Sequence, residues 1–153
     1  MFLALSSDKH LWPKNEEIYF LGRWCLNLDE VKEKKFNIHP YHWDNHDKLL
    51  KDNEYILKVY KKTIPKLSQF LNKIHNENNP IRYWEILVGQ WLLKFLEYLY
   101  DKYYVVTDAV SKNKNLKTFI IKEYLPLQTY ERFYEVHTFP EYVFRIFSEI
   151  IST

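Results

Sequence analysis

Between Arg82 and Tyr104 large apolar side chains recur at steps of three and four: Trp84, Leu87, Val88, Trp91, Leu92, Phe95, Leu96 and Leu99. Such a period lays one broad apolar stripe along a helix. Glu85, Gln90, Lys94, Glu97 and Asp101 occupy the other face, so charge returns about once per turn and the segment cannot cross a bilayer. The stripe predicts a core helix. Its Trp, Phe and Leu side chains bring so much apolar area that other elements must cover them.

Composition narrows the rest. A chain of 153 residues fits one domain, and such a domain buries roughly 70% of its unfolded surface. Gly22 and Gly89 are the only glycines, so neither usual glycine-rich phosphate loop can be written on this sequence. The net charge of +2 comes from interspersed Lys, Asp and Glu and makes no electrostatic case for nucleic acid. Cys25 stands alone, which removes a disulfide framework and favours a reducing compartment. The first residues carry neither a basic leader nor an apolar run long enough for a signal peptide, and the expected location is cytoplasmic.

Phe2 to Leu5 reads as a buried strand stopped by Ser6-Ser7-Asp8. Glu17 to Gly22 gives a second strand, its glycine letting the chain turn. Residues 29–35 form a solvated connection, and Phe36 to His39 a third strand. Asp44, with Asp47 three positions on, resembles a helix cap. The helical period that follows runs from Leu49 to Ile74 straight across Pro65, which predicts a kink near Thr63 or two abutting helices. After the aromatic helix, Thr118 to Ile121 reads as a further buried strand, 124–128 as loop and 129–136 as a short helical stretch. Thr138-Phe139-Pro140-Glu141 is a capping box opening a last helix, still apolar as it reaches Thr153. Such an ending predicts either a longer protein or a partner over that end. The pattern as a whole predicts a three-layer α/β domain with a mainly parallel sheet over residues 1–153. The short link between the first two strands leaves an antiparallel pairing or a loop crossover open.

In open α/β sheets ligands bind outside the carboxyl ends of the strands. Three stretches fall there: Ser6 to His10 with Trp12, then Gly22-Arg23-Trp24, then His42-Trp43-Asp44. They would gather hydroxyls, cations, carboxylates and indole faces, a mixture suited to sugars or anionic groups. His42 beside Asp44 reads as a general base steered by a carboxylate, or, more blandly, as a strand-end residue beside a helix cap. Asp8, His10, Trp12, Arg23, Trp43 and Arg82 are candidate substrate-binding residues. Arg23 is equally a surface cation, Tyr83 and Trp84 are core aromatics by preference, and Cys25 a buried inert thiol. His39, His42 and His46 invite a metal-dependent hydrolase reading, but Pro40 breaks the helix that would align them, so no metal ligand is assigned.

Four stretches in order carry a family resemblance: Leu3-Ala4-Leu5 with Trp12-Pro13-Lys14, Phe20-Leu21-Gly22-Arg23-Trp24-Cys25-Leu26, Pro40-Tyr41-His42-Trp43-Asp44, and Arg82 to Leu92. Over about the first 120 residues the chain resembles the amino-terminal region of a transferase family associated with O-antigen and surface-carbohydrate gene clusters, as in spirochaetes. Beyond Leu125 no match is seen. The resemblance implies a Rossmann-like fold, the amino-terminal, acceptor-side half of a two-domain glycosyltransferase of the GT-B type. It implies a carbohydrate acceptor, and a nucleotide-sugar donor held by a carboxyl-terminal domain, with no cofactor in this one. It assigns no catalytic residue. No transmembrane segment is expected, and peripheral membrane association stays open. A binding or assembly module without chemistry is the alternative.

Overall fold

The structure, a computed structural model, describes residues 1–26, 36–120, 146–148 and 150–152. The connection expected at 29–35, the loop at 124–128, the helical stretch at 129–136 and the capping box at 138–141 lie outside the described residues. The chain divides into two compact units: Met1–Tyr41 with Lys102–Thr153 (unit 1), and His42–Asp101 (unit 2). Among the described residues the architecture is α/β, a small parallel sheet with long helices.

Unit 1 holds the sheet. Its strands β1 (Phe2–Ala4), β2 (Ile18–Phe20) and β3 (Asn37–Ile38) lie side by side in chain order. Both pairings are parallel, with Phe2 opposite Ile18 and Tyr19 opposite Asn37. The link from β1 to β2 is therefore a loop crossover, tightened by one 3-10 turn at Lys9–Leu11. Apolar runs such as Phe2 to Leu5 suit strands buried on both faces. Here they meet Val105, Val106, Ala109 and Phe147 in one core. Phe147 is fully buried, and its ring stacks on Trp24 at 6.1 Å and 11°. Ile150 and Ile151 also pack against this core, so the described apolar residues of the last helix serve their own unit.

The expected strand from Thr118 does not form within the described residues. Lys117 bridges Phe2 on the free edge of β1, with Leu3 N–H donating to its carbonyl at 2.7 Å. The Thr118 hydroxyl then donates to the Leu3 carbonyl at 2.8 Å, taking the acceptor that a continuing ladder would use. Phe119 and Ile120 are left exposed. Gly22 also differs from expectation. Its φ of −175° is ordinary extended backbone, and its role is spatial: a Cβ there would overlap the Trp24 ring.

Unit 2 begins with a 3-10 turn at His42–Asp44 and continues into α1 (His46–His75). The cap is Asn45 and not the expected Asp44: the Asn45 side chain accepts from Lys48 N–H at 3.0 Å, and Asp44 is the last residue of the preceding 3-10 turn. α1 runs through Pro65 as one helix. Asn76 ends it in the left-handed region at φ 53°, a conformation Asn tolerates. Asn72 pins the corner that follows. Its amide bonds both backbone groups of Asn79, at 2.8 and 3.0 Å, and its oxygen accepts from Trp84 Nε1 at 2.8 Å.

The aromatic stretch is helical, but in three pieces: α2 (Ile81–Trp84), a π turn at Glu85–Gly89, and α3 (Gln90–Lys112). A π turn inserts one residue and shifts the phase of everything after it. The expected stripe is only partly buried: Trp84 and Leu92 are buried, whereas Leu87 is 57% exposed. The deepest burial on this rod lies further on, at Val105, Val106 and Ala109 in unit 1.

Candidate functional site

The candidate site lies in unit 2, where two short-range signals meet a long-range one. His42 and Trp43 sit on the 3-10 turn, Lys48 and Asp52 on the first turns of α1, and Tyr100 and Asp101 on α3. Spacing puts Lys48 and Asp52 four apart on one face of α1. Asp52 itself takes a place on the buried side, three after Leu49 and four before Ile56. A carboxylate there needs partners. It accepts from Trp43 Nε1 at 3.0 Å, from the Tyr100 hydroxyl at 2.8 Å, and from Lys48.

His42 is buried between carboxylates. Its Nε2 lies 3.0 Å from Asp101 Oδ1, and its Nδ1 3.7 Å from Asp52 Oδ2. Burial alone would lift the Asp52 carboxyl, but hydrogen bonds from Lys48, Tyr100 and Trp43 prevail and hold it below the ordinary carboxylate range. Tyr98 moves the other way, its phenol pushed up by burial and by the Asp101 charge. Beside this cluster a groove of about 270 Å³ is lined by Trp43, Leu49, Leu50, Asn53, Ile56 and Glu97. Trp43 joins the two, one edge bonded to Asp52 and the indole forming part of the groove wall. His42 lies behind the groove, its ring 4.7 Å from that of Trp43; a carboxylate-held imidazole is a group that can carry a proton, and an indole-walled groove suits the face of a sugar.

The other residues singled out from sequence fall as follows. Asp44 is exposed at the end of the 3-10 turn, and the carboxylates bracketing His42 are Asp101 and Asp52. In unit 1, Asp8 caps the 3-10 turn after β1, its side chain accepting from His10 N–H at 3.0 Å, and His10 is exposed. Trp12 Nε1 donates to the Ser6 carbonyl at 3.2 Å and Trp24 Nε1 to the Leu5 carbonyl at 3.3 Å. The strand-end acceptors of β1 are thus covered by indole donors. Arg23 is exposed on the turn after β2. Arg82 is exposed on α2, its guanidinium 3.4 Å from Glu85. Asp8, His10, Trp12 and Arg23 share unit 1, while His42, Trp43, Asp44 and Arg82 belong to unit 2.

The three histidines are not gathered. His39 follows β3 in unit 1, its Nδ1 2.8 Å from the Tyr19 hydroxyl and its Nε2 3.0 Å from Asp108. His46 is exposed on α1. Among the described residues no group of three or more His, Cys, Asp or Glu side chains could hold a metal ion. Cys25 is buried with its thiol donating to the Ala4 carbonyl at 3.2 Å, and burial pushes that thiol up to about 12. Such a thiol is inert at neutral pH.

Sequence reasoning missed Asp52, Tyr100 and Asp101 as partners of this site. Asp52 had a legible signal, a lone carboxylate on an apolar face. Asp101 had none, since it sits among the regularly spaced charges of the polar face and pairs with a residue 59 positions away.

Comparison with known proteins gives a family match. A family model described as LIC12162 family transferase covers residues 1–153. No curated protein and no solved structure matches the chain.

Proposed function

The chain belongs to the LIC12162 family of transferases, and from that premise we propose that it is the acceptor-side part of a glycosyltransferase-like enzyme of surface-polysaccharide or O-antigen assembly, working in the cytoplasm. The reading takes the sheet unit as a Rossmann-like half of a GT-B architecture. A nucleotide-sugar donor is bound by a further domain, in keeping with a chain whose two glycines cannot form a phosphate loop.

The observation that carries the proposal is His42 held by Asp101 next to the Trp43 groove. The Asp101 carboxylate accepts from Nε2–H and fixes the ring, and the Asp52 carboxylate stands 3.7 Å from Nδ1 on its other side. The acceptor hydroxyl gives its proton to His42 as its oxygen forms the new bond to the donor's anomeric carbon. The bond from that carbon to the nucleotide phosphate breaks, and the phosphate leaves with the electron pair. Asp101 steadies the imidazolium, and Trp43 offers a ring face to the sugar. Asp8, His10, Trp12, Arg23, Asp44 and Arg82 remain candidates for contacts along the acceptor.

Transfer by the full-length protein, measured with nucleotide sugars and carbohydrate acceptors, tests this. His42→Asn should lower kcat by about 10²–10⁴ with little change in KM, and Trp43→Ala should act chiefly on acceptor KM. Undiminished turnover in His42→Asn would remove the histidine from the chemistry.

A further inference from the structure

We infer that the corner between α1 and α2 docks on an anionic lipid bilayer surface. Six large apolar side chains are exposed there: Phe70 (59%), Ile74 (58%), Ile81 (45%), Tyr83 (44%), Ile86 (68%) and Leu87 (57%). Single exposed hydrophobes are ordinary, but a cluster at one corner marks an interaction surface. The corner is rigidly built, since Asn72 ties α1 to Asn79 and to Trp84, and the His75 ring stacks on Trp84 at 5.8 Å. These side chains are therefore presented from a fixed backbone.

Charge selects the occupant. From 55 to 75 the sequence carries Lys58, Lys61, Lys62, Lys66 and Lys73 and no Asp or Glu, and all five lysines are exposed. At about 100° per residue, Lys58, Lys62, Lys66 and Lys73 share an arc of about 80°, and Phe70 and Ile74 continue it. A basic arc merging into an apolar edge, with Tyr83 close by, is the pattern of a helix that lies in a lipid interface. No helix among the described residues is long and apolar enough to cross a membrane, so the contact is with the surface. The inference rests on this exposed corner alone, not on the transfer reaction.

Sedimentation of the full chain with vesicles of phosphatidylcholine, alone or mixed with phosphatidylglycerol, decides it. The chain should bind the mixed vesicles, bind the neutral ones far more weakly, and detach as salt is raised. K62Q/K66Q/K73Q should reduce partition onto the mixed vesicles by about a hundredfold, and F70S/I86S should also lose binding, both with unchanged far-UV circular dichroism. Equal partition of the parent chain and the lysine variant would overturn the inference, as would failure of the parent chain to bind the mixed vesicles. A concentration-dependent dimer that F70S/I86S abolishes, without vesicle binding, would overturn it in favour of a second copy of the chain.

Discussion

Gly22 shows how a residue can be read correctly as special and for the wrong reason. The sequence suggests a backbone that must turn, yet the backbone is extended and the constraint is the Trp24 ring folded over it. Gly22→Ala should cost about 1–3 kcal/mol, the usual range for overpacking. Most of that cost should vanish in a Trp24→Val background, as urea midpoints of the two alanine variants would show. At Asp52 the sign of the effect is fixed by a folded-state carboxyl held below its ordinary value. That group adds stability above about pH 4, its unfolded value, and the contribution is lost as pH falls through the folded value. Urea midpoints should therefore drop on acidification, and Asp52→Asn should flatten part of that limb while lowering stability at neutral pH. His42 and Trp43 were legible because they adjoin a strand end and a helix start. Asp101, the partner of His42, was not, since a hydrogen bond across 59 positions leaves no local trace.

Among the elements, the three strands and both long helices follow from short apolar runs and helical period, and the structure has strands and helices over those stretches. The departures come from single interactions that periodicity does not encode. Thr118 spends its hydroxyl on Leu3 and ends a pairing that the apolar run after it would favour. The π turn at Glu85–Gly89 breaks the phase of the aromatic stripe, and Gly89 lies where a Cβ would come within 2.6 Å of the Tyr60 hydroxyl. Pro65 predicts a kink near Thr63 or two abutting helices, and α1 runs through it as one helix. Packing of Ile64 and the Ser68 hydroxyl's bond to the Ile64 carbonyl at 2.8 Å hold the turn together. The missing Pro65 N–H still leaves the Lys61 carbonyl without its helical donor. Pro65→Ala should accordingly stabilise the protein by about 1–3 kcal/mol, read from thermal or urea unfolding, and a loss of stability would show that the proline is favoured by its surroundings.

At the scale of the molecule, the two units are written differently along the chain. Unit 2 is one continuous stretch, His42–Asp101, whereas unit 1 joins Met1–Tyr41 to residues from Lys102 onward. Contacts close in sequence form at lower loop-closure cost than distant ones. Pulse-labelled hydrogen exchange should therefore find the Trp84 indole protected before the Leu3 amide. Phe147→Ala, which empties a fully buried site of unit 1, should cost about 3–5 kcal/mol and leave the early protection of Trp84 unchanged. This division was not legible from composition, because no linker or change of residue type marks positions 41 and 102. It has a consequence during biosynthesis. The sticky segment Phe2 to Leu5 leaves the ribosome about a hundred residues ahead of Val105, Val106 and Ala109, the groups that shield it. At 5–20 residues per second that is a wait of roughly 5–20 s, an interval in which the newborn apolar run is open to any passing hydrophobic surface.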